Sequence, residues 1–315
     1  MLRYDPLSWL DTQQGLSAVR ARRVIGLSRE GDAVVVRSLI RELIEEQQVD
    51  GSFERSPIKT AGVLNLLDDL KASECEISIA AGASYLFSVL EAQPGYEQAS
   101  GIRPGGLRTP CDLGGFFGPY EARNQAEVMA HGAREMNFYR AYEPLLGPKS
   151  PVRGKRRATL DRAGPASCYA WGLIPLSYLI ETLCRAGYAH DERLQPAIKA
   201  LLGAQRGSGG WCRNLGGHPN CTMHGIRALG AHPALRGSEY AMRALDLVYA
   251  HLSRLNRFAV LQAAAMFDLA VARDIIREIL AELEPRQQKN GTFGSPNRVE
   301  RVAAVLVAER GLNHG

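Results

Sequence analysis

The chain has 315 residues, 45% of them hydrophobic and 23% charged, with a formal net charge of +5. This composition fits a globular protein with a large core and excludes a disordered or fibrous chain. The charge is mild and no basic stripe is interleaved with aromatics, so nothing calls for a nucleic-acid partner.

The N-terminal Met1-Leu2-Arg3-Tyr4-Asp5-Pro6 lacks the apolar core of a signal peptide. No run approaches the roughly 18–20 apolar residues that cross a bilayer. The expectation is a cytoplasmic protein without a transmembrane segment. Its 6 cysteines then read as thiols, metal ligands or redox groups rather than disulfides. Apolar residues recur at helical spacing nearly throughout, and strand-like alternation is almost absent. Helices are expected near 14–28, 33–48, 56–71, 77–92, 121–145, 168–187, 191–204, 221–231, 237–252, 255–270, 271–285 and 297–311. The breaks between them carry turn chemistry: Asp50-Gly51, Gln93-Pro94-Gly95, Gly207-Ser208-Gly209-Gly210 and Asn290-Gly291. Pro57, Pro196 and Pro296 stand near helix starts, where a missing N–H costs little. Residues 1–315 are expected to form one all-α domain with two long loops, 94–120 and 147–165. The second loop carries Lys149, Arg153, Lys155, Arg156, Arg157 and Arg162 against Asp161. It reads either as a solvated linker or as a basic rim over a pocket.

Three short stretches say nearly the same thing. Residues 47–53 read Gln-Gln-Val-Asp-Gly-Ser-Phe, residues 205–211 Gln-Arg-Gly-Ser-Gly-Gly-Trp, and residues 287–293 Gln-Gln-Lys-Asn-Gly-Thr-Phe. Each joins two apolar helical runs, and Leu90-Glu91-Ala92-Gln93-Pro94-Gly95 is a degenerate copy. Recurring units of this kind imply stacked helix pairs. The Gly permits a tight turn, the aromatic packs between pairs, and the Gln can bond free backbone groups at helix ends. Gln47, Trp211 and Phe293 are therefore expected to be scaffold. The pattern resembles the repeat of the protein prenyltransferase β subunits and the squalene and hopene cyclases, over about residues 40–310. The resemblance implies an α/α toroid: about six helix pairs in an inner and an outer ring, around an apolar cavity for isoprenoid chains.

Candidate chemistry sits in residues 211–224, Trp-Cys-Arg-Asn-Leu-Gly-Gly-His-Pro-Asn-Cys-Thr-Met-His. Cys212 and Cys221 flank a Gly/Pro turn, and Cys221 and His224 are three apart at a helix start, on one face. Thiolates are favoured at a helix N-terminus, and two thiolates with an imidazole suit Zn²⁺. The family resemblance adds Cys168. Ala166-Ser167-Cys168-Tyr169-Ala170-Trp171 is similar to the Asp-Thr-Cys-Tyr-x-x-Trp-like zinc stretch of prenyltransferase β subunits, with Ala166 in place of the Asp. Cys221-Thr222 is similar to that family's His-Thr, with Cys in place of His. The expected zinc ligands are Cys168, Cys212, Cys221 and His224. Cys111 and His218 are further candidates, and an iron–sulfur cluster is the alternative cofactor. Cys75 and Cys184 read as core residues, His232 and His251 as helix-end or surface groups.

The Asp-x-Asp-Asp acid of class II terpene cyclases is absent, and Asp68-Asp69, late in a helix, reads as a solvated face. No Gly-x-Ser-x-Gly, Walker or dinucleotide fingerprint occurs in a strand context. Phe116, Phe117, Tyr120, Phe138, Tyr139, Tyr142, Tyr169 and Trp171 would either line a pocket or pack in the core. Arg123, Arg134 and Arg140, with the basic loop, could hold a diphosphate. The expected function is a zinc-dependent enzyme of the prenyltransferase or terpene-cyclase type acting on an apolar, isoprenoid-like substrate. The alternative is a non-catalytic toroid whose structural zinc pins loops while it binds a hydrophobic ligand or a protein partner.

Overall fold

The computed structural model describes residues 2–71, 75–92, 173–211, 219–294 and 298–313. Among them lie 12 α-helices and no strand. In chain order these are α1 (Pro6–Thr12), α2 (Leu16–Val24), α3 (Asp32–Glu46), α4 (Pro57–Leu70), α5 (Glu76–Glu91), α6 (Leu173–Leu183), α7 (Gln195–Gly203), α8 (Pro219–Ala231), α9 (Glu239–Ala250), α10 (Arg257–Ala264), α11 (Ala270–Leu283) and α12 (Arg298–Asn313). The expected helix at 121–145 and the loops 94–120 and 147–165 lie outside the described residues.

Local chemistry starts several of these helices. Ser56 Oγ accepts from Lys59 N–H at 3.2 Å, and Pro57 takes the first position of α4. Ser238 caps α9 by accepting from Ala241 N–H, and Asn256 caps α10 by accepting from Phe258 N–H at 3.0 Å. Helix α1 was not expected from periodicity. Asp5 caps it, accepting from Leu7 N–H at 2.8 Å, and Pro6 opens it. Helix α10 is shorter than the expected 255–270. After Ala264 the chain tightens, with Met266 and Phe267 N–H bonding Ala263 and Ala264 carbonyls three residues back.

Helices α9 and α11 bury themselves differently from α4. Helix α11 buries Ala272, Ile275, Ile276, Ile279, Leu280 and Leu283, a single stripe at i, i+3, i+4, i+7 spacing. Helix α9 does the same with Ala241, Ala244, Leu245 and Val248. Helix α4 instead buries 10 of its 14 residues, so neighbours surround it. The packing runs through the even helices in order. Helix α2 packs on α4, α4 on α6, α6 on α8, α8 on α10, α10 on α12, and α12 returns to α2. The odd helices lie against the even ones that flank them: α1 on α12 and α2, α3 on α2 and α4, α9 on α8, and α11 on α10 and α12.

The three Gln…Gly-x-aromatic turns lead from α3 to α4, from α7 to α8 and from α11 to α12. Their hydrogen bonds correspond group by group. Gln47 Nε2 donates to Gly51 O and to Ser78 O, both at 2.9 Å. Gln205 Nε2 donates to Gly209 O at 2.9 Å and Tyr240 O at 2.8 Å. Gln287 Nε2 donates to Gly291 O at 3.1 Å and Tyr4 O at 2.8 Å. Each glutamine thus ties its own turn to the start of another odd helix: α5, α9 and α1. The glycines permit the approach. Gly51, Gly209 and Gly291 have φ of 84°, 89° and 83°. A Cβ on them would stand 2.2 Å from Ala81 O, 2.1 Å from Arg243 O and 2.6 Å from Asp5 O. Phe53, Trp211 and Phe293 are buried. Trp211 Nε1 donates to Leu201 O at 2.8 Å, and its ring occupies the space a side chain at Gly225 would need.

Candidate functional site

All six even helices contribute residues to a cavity of about 290 Å³. Helix α2 presents Ser17, Arg20, Ala21 and Val24, and α12 presents Glu300, Ala303, Ala304 and Val307. Both sets follow i, i+3, i+4, i+7 spacing, which places each on one helix face. Asp69 comes from α4, Glu181 from α6, Arg227 from α8, Gln262 from α10 and Met266 from the turn after it. Arg185 comes from a π turn, Cys184–Tyr188, that continues α6 and contains Gly187 at φ 93°. Ser17 and Val24 are exposed, so the cavity opens to solvent along α2.

The lining divides into a charged wall and a smoother one. On the charged wall, Arg20 Nε donates to Asp69 Oδ2 at 2.6 Å. Arg185 Nη2 bonds Asp69 Oδ1 at 2.5 Å, and its Nε bonds Asp68 Oδ2 at 2.9 Å. Arg227 straddles the Glu181 carboxylate, with Nε at 3.1 and 3.0 Å from its two oxygens. These pairs link α2, α4, α6 and α8 in series. Burial opposes ionisation of Asp69, yet Arg185 and Arg20 outweigh it and hold the carboxyl below its usual range. Glu181, 1% exposed, is likewise desolvated and likewise held low by Arg227. Its charge and burial raise the nearby Cys184 thiol to about 12, burial being the larger cause, so Cys184 stays protonated and inert. The opposite wall is Met266, Ala303, Ala304 and Val307, with Glu300 and Gln262 beside them.

Asp68-Asp69 is therefore a correction. The pair does not form a solvated face. Asp69 is 8% exposed because α4 is enclosed, and its last turn meets α2 and the π turn. His232 meets the helix-end expectation. It ends α8 as foreseen and is buried, edge-on to His190 with ring centroids 6.0 Å apart.

Of the expected zinc ligands, Cys168 and Cys212 lie outside the described residues, as do Cys111 and His218. The candidate pocket aromatics Phe116, Phe117, Tyr120, Tyr139, Tyr169 and Trp171 lie outside them too, with Arg123, Arg134 and Arg140. Cys221 is the third residue of α8, and His224 follows one turn later. His224 is half-buried and edge-on to Tyr178, with centroids 6.3 Å apart. Burial chiefly, and then the Arg227 charge, push its pKa down to about 4. Its imidazole is thus neutral near pH 7, the form that ligates metal. Among the described residues no three His, Cys, Asp or Glu side chains cluster as a complete metal site. Cys75 and Cys184 are buried. No helix among the described residues is long and apolar enough to cross a membrane. No protein-family model, curated protein or solved structure matches the chain.

Sequence reasoning missed the ring of arginines and carboxylates. Its signal was present in the paired stripes Ser17/Arg20/Ala21/Val24 and Glu300/Ala303/Ala304/Val307. A polar face toward a cavity has the same periodicity as one toward solvent, so the stripes alone do not distinguish them.

Proposed function

We propose that this chain is an α/α toroid whose central cavity is the substrate site of a metal-dependent enzyme of the prenyltransferase or terpene-cyclase type. The observation that carries the reading is the cavity itself: six even helices follow one another in a closed cycle, and each lends it a side chain. A site shared by every inner element is where such a ring concentrates function. The cavity holds about as much space as ten waters, so it accepts a small, largely apolar substrate or one end of a longer isoprenoid.

Neutral His224, one turn after Cys221 and one turn before the cavity residue Arg227, fits a zinc ligand by its chemistry. In this reading Cys221 and His224 hold Zn²⁺ together with Cys168 and Cys212. A zinc ion held by these residues would supply a Lewis acid. The chain's own part is binding and exclusion of water. Met266, Ala303, Ala304 and Val307 receive the apolar body, and the ion-paired wall fixes α2, α4, α6 and α8 around it.

One observation favours a second reading, a non-catalytic toroid that binds a hydrophobic ligand or a protein partner. Asp69, Asp68 and Glu181 are each matched by an arginine, so none of them is poised as a free acid or base. Elemental analysis of the purified chain, with Cys221→Ser and Cys168→Ser beside it, tests the proposal, followed by incubation with prenyl diphosphates. About one zinc per chain, lost in both variants, with product formation, supports the enzyme. Zinc without turnover supports the scaffold. A metal-free chain with full stability contradicts the zinc site.

A further inference from the structure

Three arginines and three carboxylates line the cavity, but they do not pair one to one. Its positive groups are Arg20, Arg185 and Arg227, and every one of them is engaged: Arg20 with Asp69, Arg185 with Asp68 and Asp69, Arg227 with Glu181. The remaining carboxylate in the lining is Glu300 on α12. Among the described residues Glu300 has no ion-pair partner, although it is half-buried. It stands on the same face as Ala303, Ala304 and Val307. A carboxylate drawn partly out of water without a counter-charge is costly, and a ligand that brings the counter-charge relieves that cost.

We propose that the central cavity binds a small organic ammonium ion, with Glu300 as its counter-ion and the wall of Met266, Ala303, Ala304 and Val307 around its carbon body. The reading of the cavity as the substrate site is assumed here, and the proposal adds the ligand's charge. The Gln262 side-chain carbonyl, also in the lining, is available to accept a second N–H. An anionic group beside Glu300 is disfavoured on two counts. The three arginines are already neutralised by acids, and Glu300 would repel it. The volume sets the size. About 290 Å³ is the room of roughly ten waters, hence a ligand of about ten non-hydrogen atoms or fewer.

Isothermal titration calorimetry on the full chain with three probes of one shape tests this: cyclohexylammonium, cyclohexanol and cyclohexanecarboxylate, at pH 7.5 and constant salt. The expected result is that the ammonium binds at least tenfold more tightly than the alcohol and the carboxylate not at all. Glu300→Gln should abolish the preference of ammonium over alcohol. Ala303→Leu, which fills the apolar wall and keeps every charge, should weaken the ammonium and the alcohol alike. Equal binding of all three probes, or ammonium binding unchanged in Glu300→Gln, overturns the ligand class while leaving the cavity as a site. No binding of any probe to a folded wild-type chain overturns both. Zinc analysis is independent of these outcomes, because Glu300 is outside the expected ligand set.

Discussion

His224 is a ring nitrogen base that the fold keeps uncharged. Its folded pKa, about 4, lies below the ordinary value of 6.5. The unfolded chain therefore takes up a proton between pH 6.5 and 4 that the folded chain refuses, and stability falls as pH is lowered through that window. The expected loss is roughly 2 kcal/mol, discounted because the ring is only half-buried. His232, buried at the end of α8 and also held low by burial, adds to the same slope. Chemical denaturation at stepped pH with chelator present should show the decline, and His224→Gln should flatten part of it. A stability profile that is level from pH 7 to 4.5 contradicts the assignment. Glu181 tests the charged wall separately. Glu181→Gln leaves Arg227 without its partner, and the expected cost is about 3 kcal/mol in denaturant unfolding at pH 7. A change under about 0.5 kcal/mol, the range of an ordinary surface substitution, would mean that water already satisfies Arg227.

At the scale of elements the turns are the informative joints. Gly209 sits at φ 89° with its missing Cβ aimed at Arg243 O, whereas a Cβ on Gly207, two residues earlier, would meet nothing within 4 Å. Gly209→Ala should therefore cost more than about 2 kcal/mol, and Gly207→Ala should be near neutral. Equal effects of the two substitutions in thermal unfolding contradict a close packing of this turn on α9. These turns were readable from sequence because Gln, Gly and aromatic fall within seven consecutive residues, as in Gln47–Phe53. Helices α9 and α11 were readable because one apolar stripe faces inward and the rest faces water. Helix α1 was not, since 7 residues are too few for a period, although Asp5-Pro6 is a cap and first-turn signal. The cavity lining was legible only as spacing. Which stripe of α2 or α12 looks inward depends on contacts from helices far away in the chain, and local periodicity carries none of that.

Across the whole molecule, the last turn grasps the beginning of the chain. Gln287 holds Tyr4 through both its side-chain oxygen and nitrogen, at 2.8 Å each, in the place where Gln47 holds Ser78 and Gln205 holds Tyr240. Arg22 and Asp32, both buried, then bind α2 to α3, and Arg22 also donates to Leu10 O in α1. If the N-terminal segment is part of the helix cycle rather than a tail, Gln287→Ala should cost about as much as Gln47→Ala, roughly 1–3 kcal/mol for orphaned backbone groups. An unchanged melting temperature in Gln287→Ala would show instead that α1 is dispensable.

The measurement that reaches the central claim most directly is zinc K-edge X-ray absorption on the wild-type chain purified without added metal. The account predicts about one zinc per chain in a tetrahedral, sulfur-dominated shell with one nitrogen, as three cysteines and His224 would give. A zinc-free protein, or zinc bound only by oxygen and nitrogen, would contradict a thiolate site at α8 and would leave the cavity as a binding site without zinc chemistry.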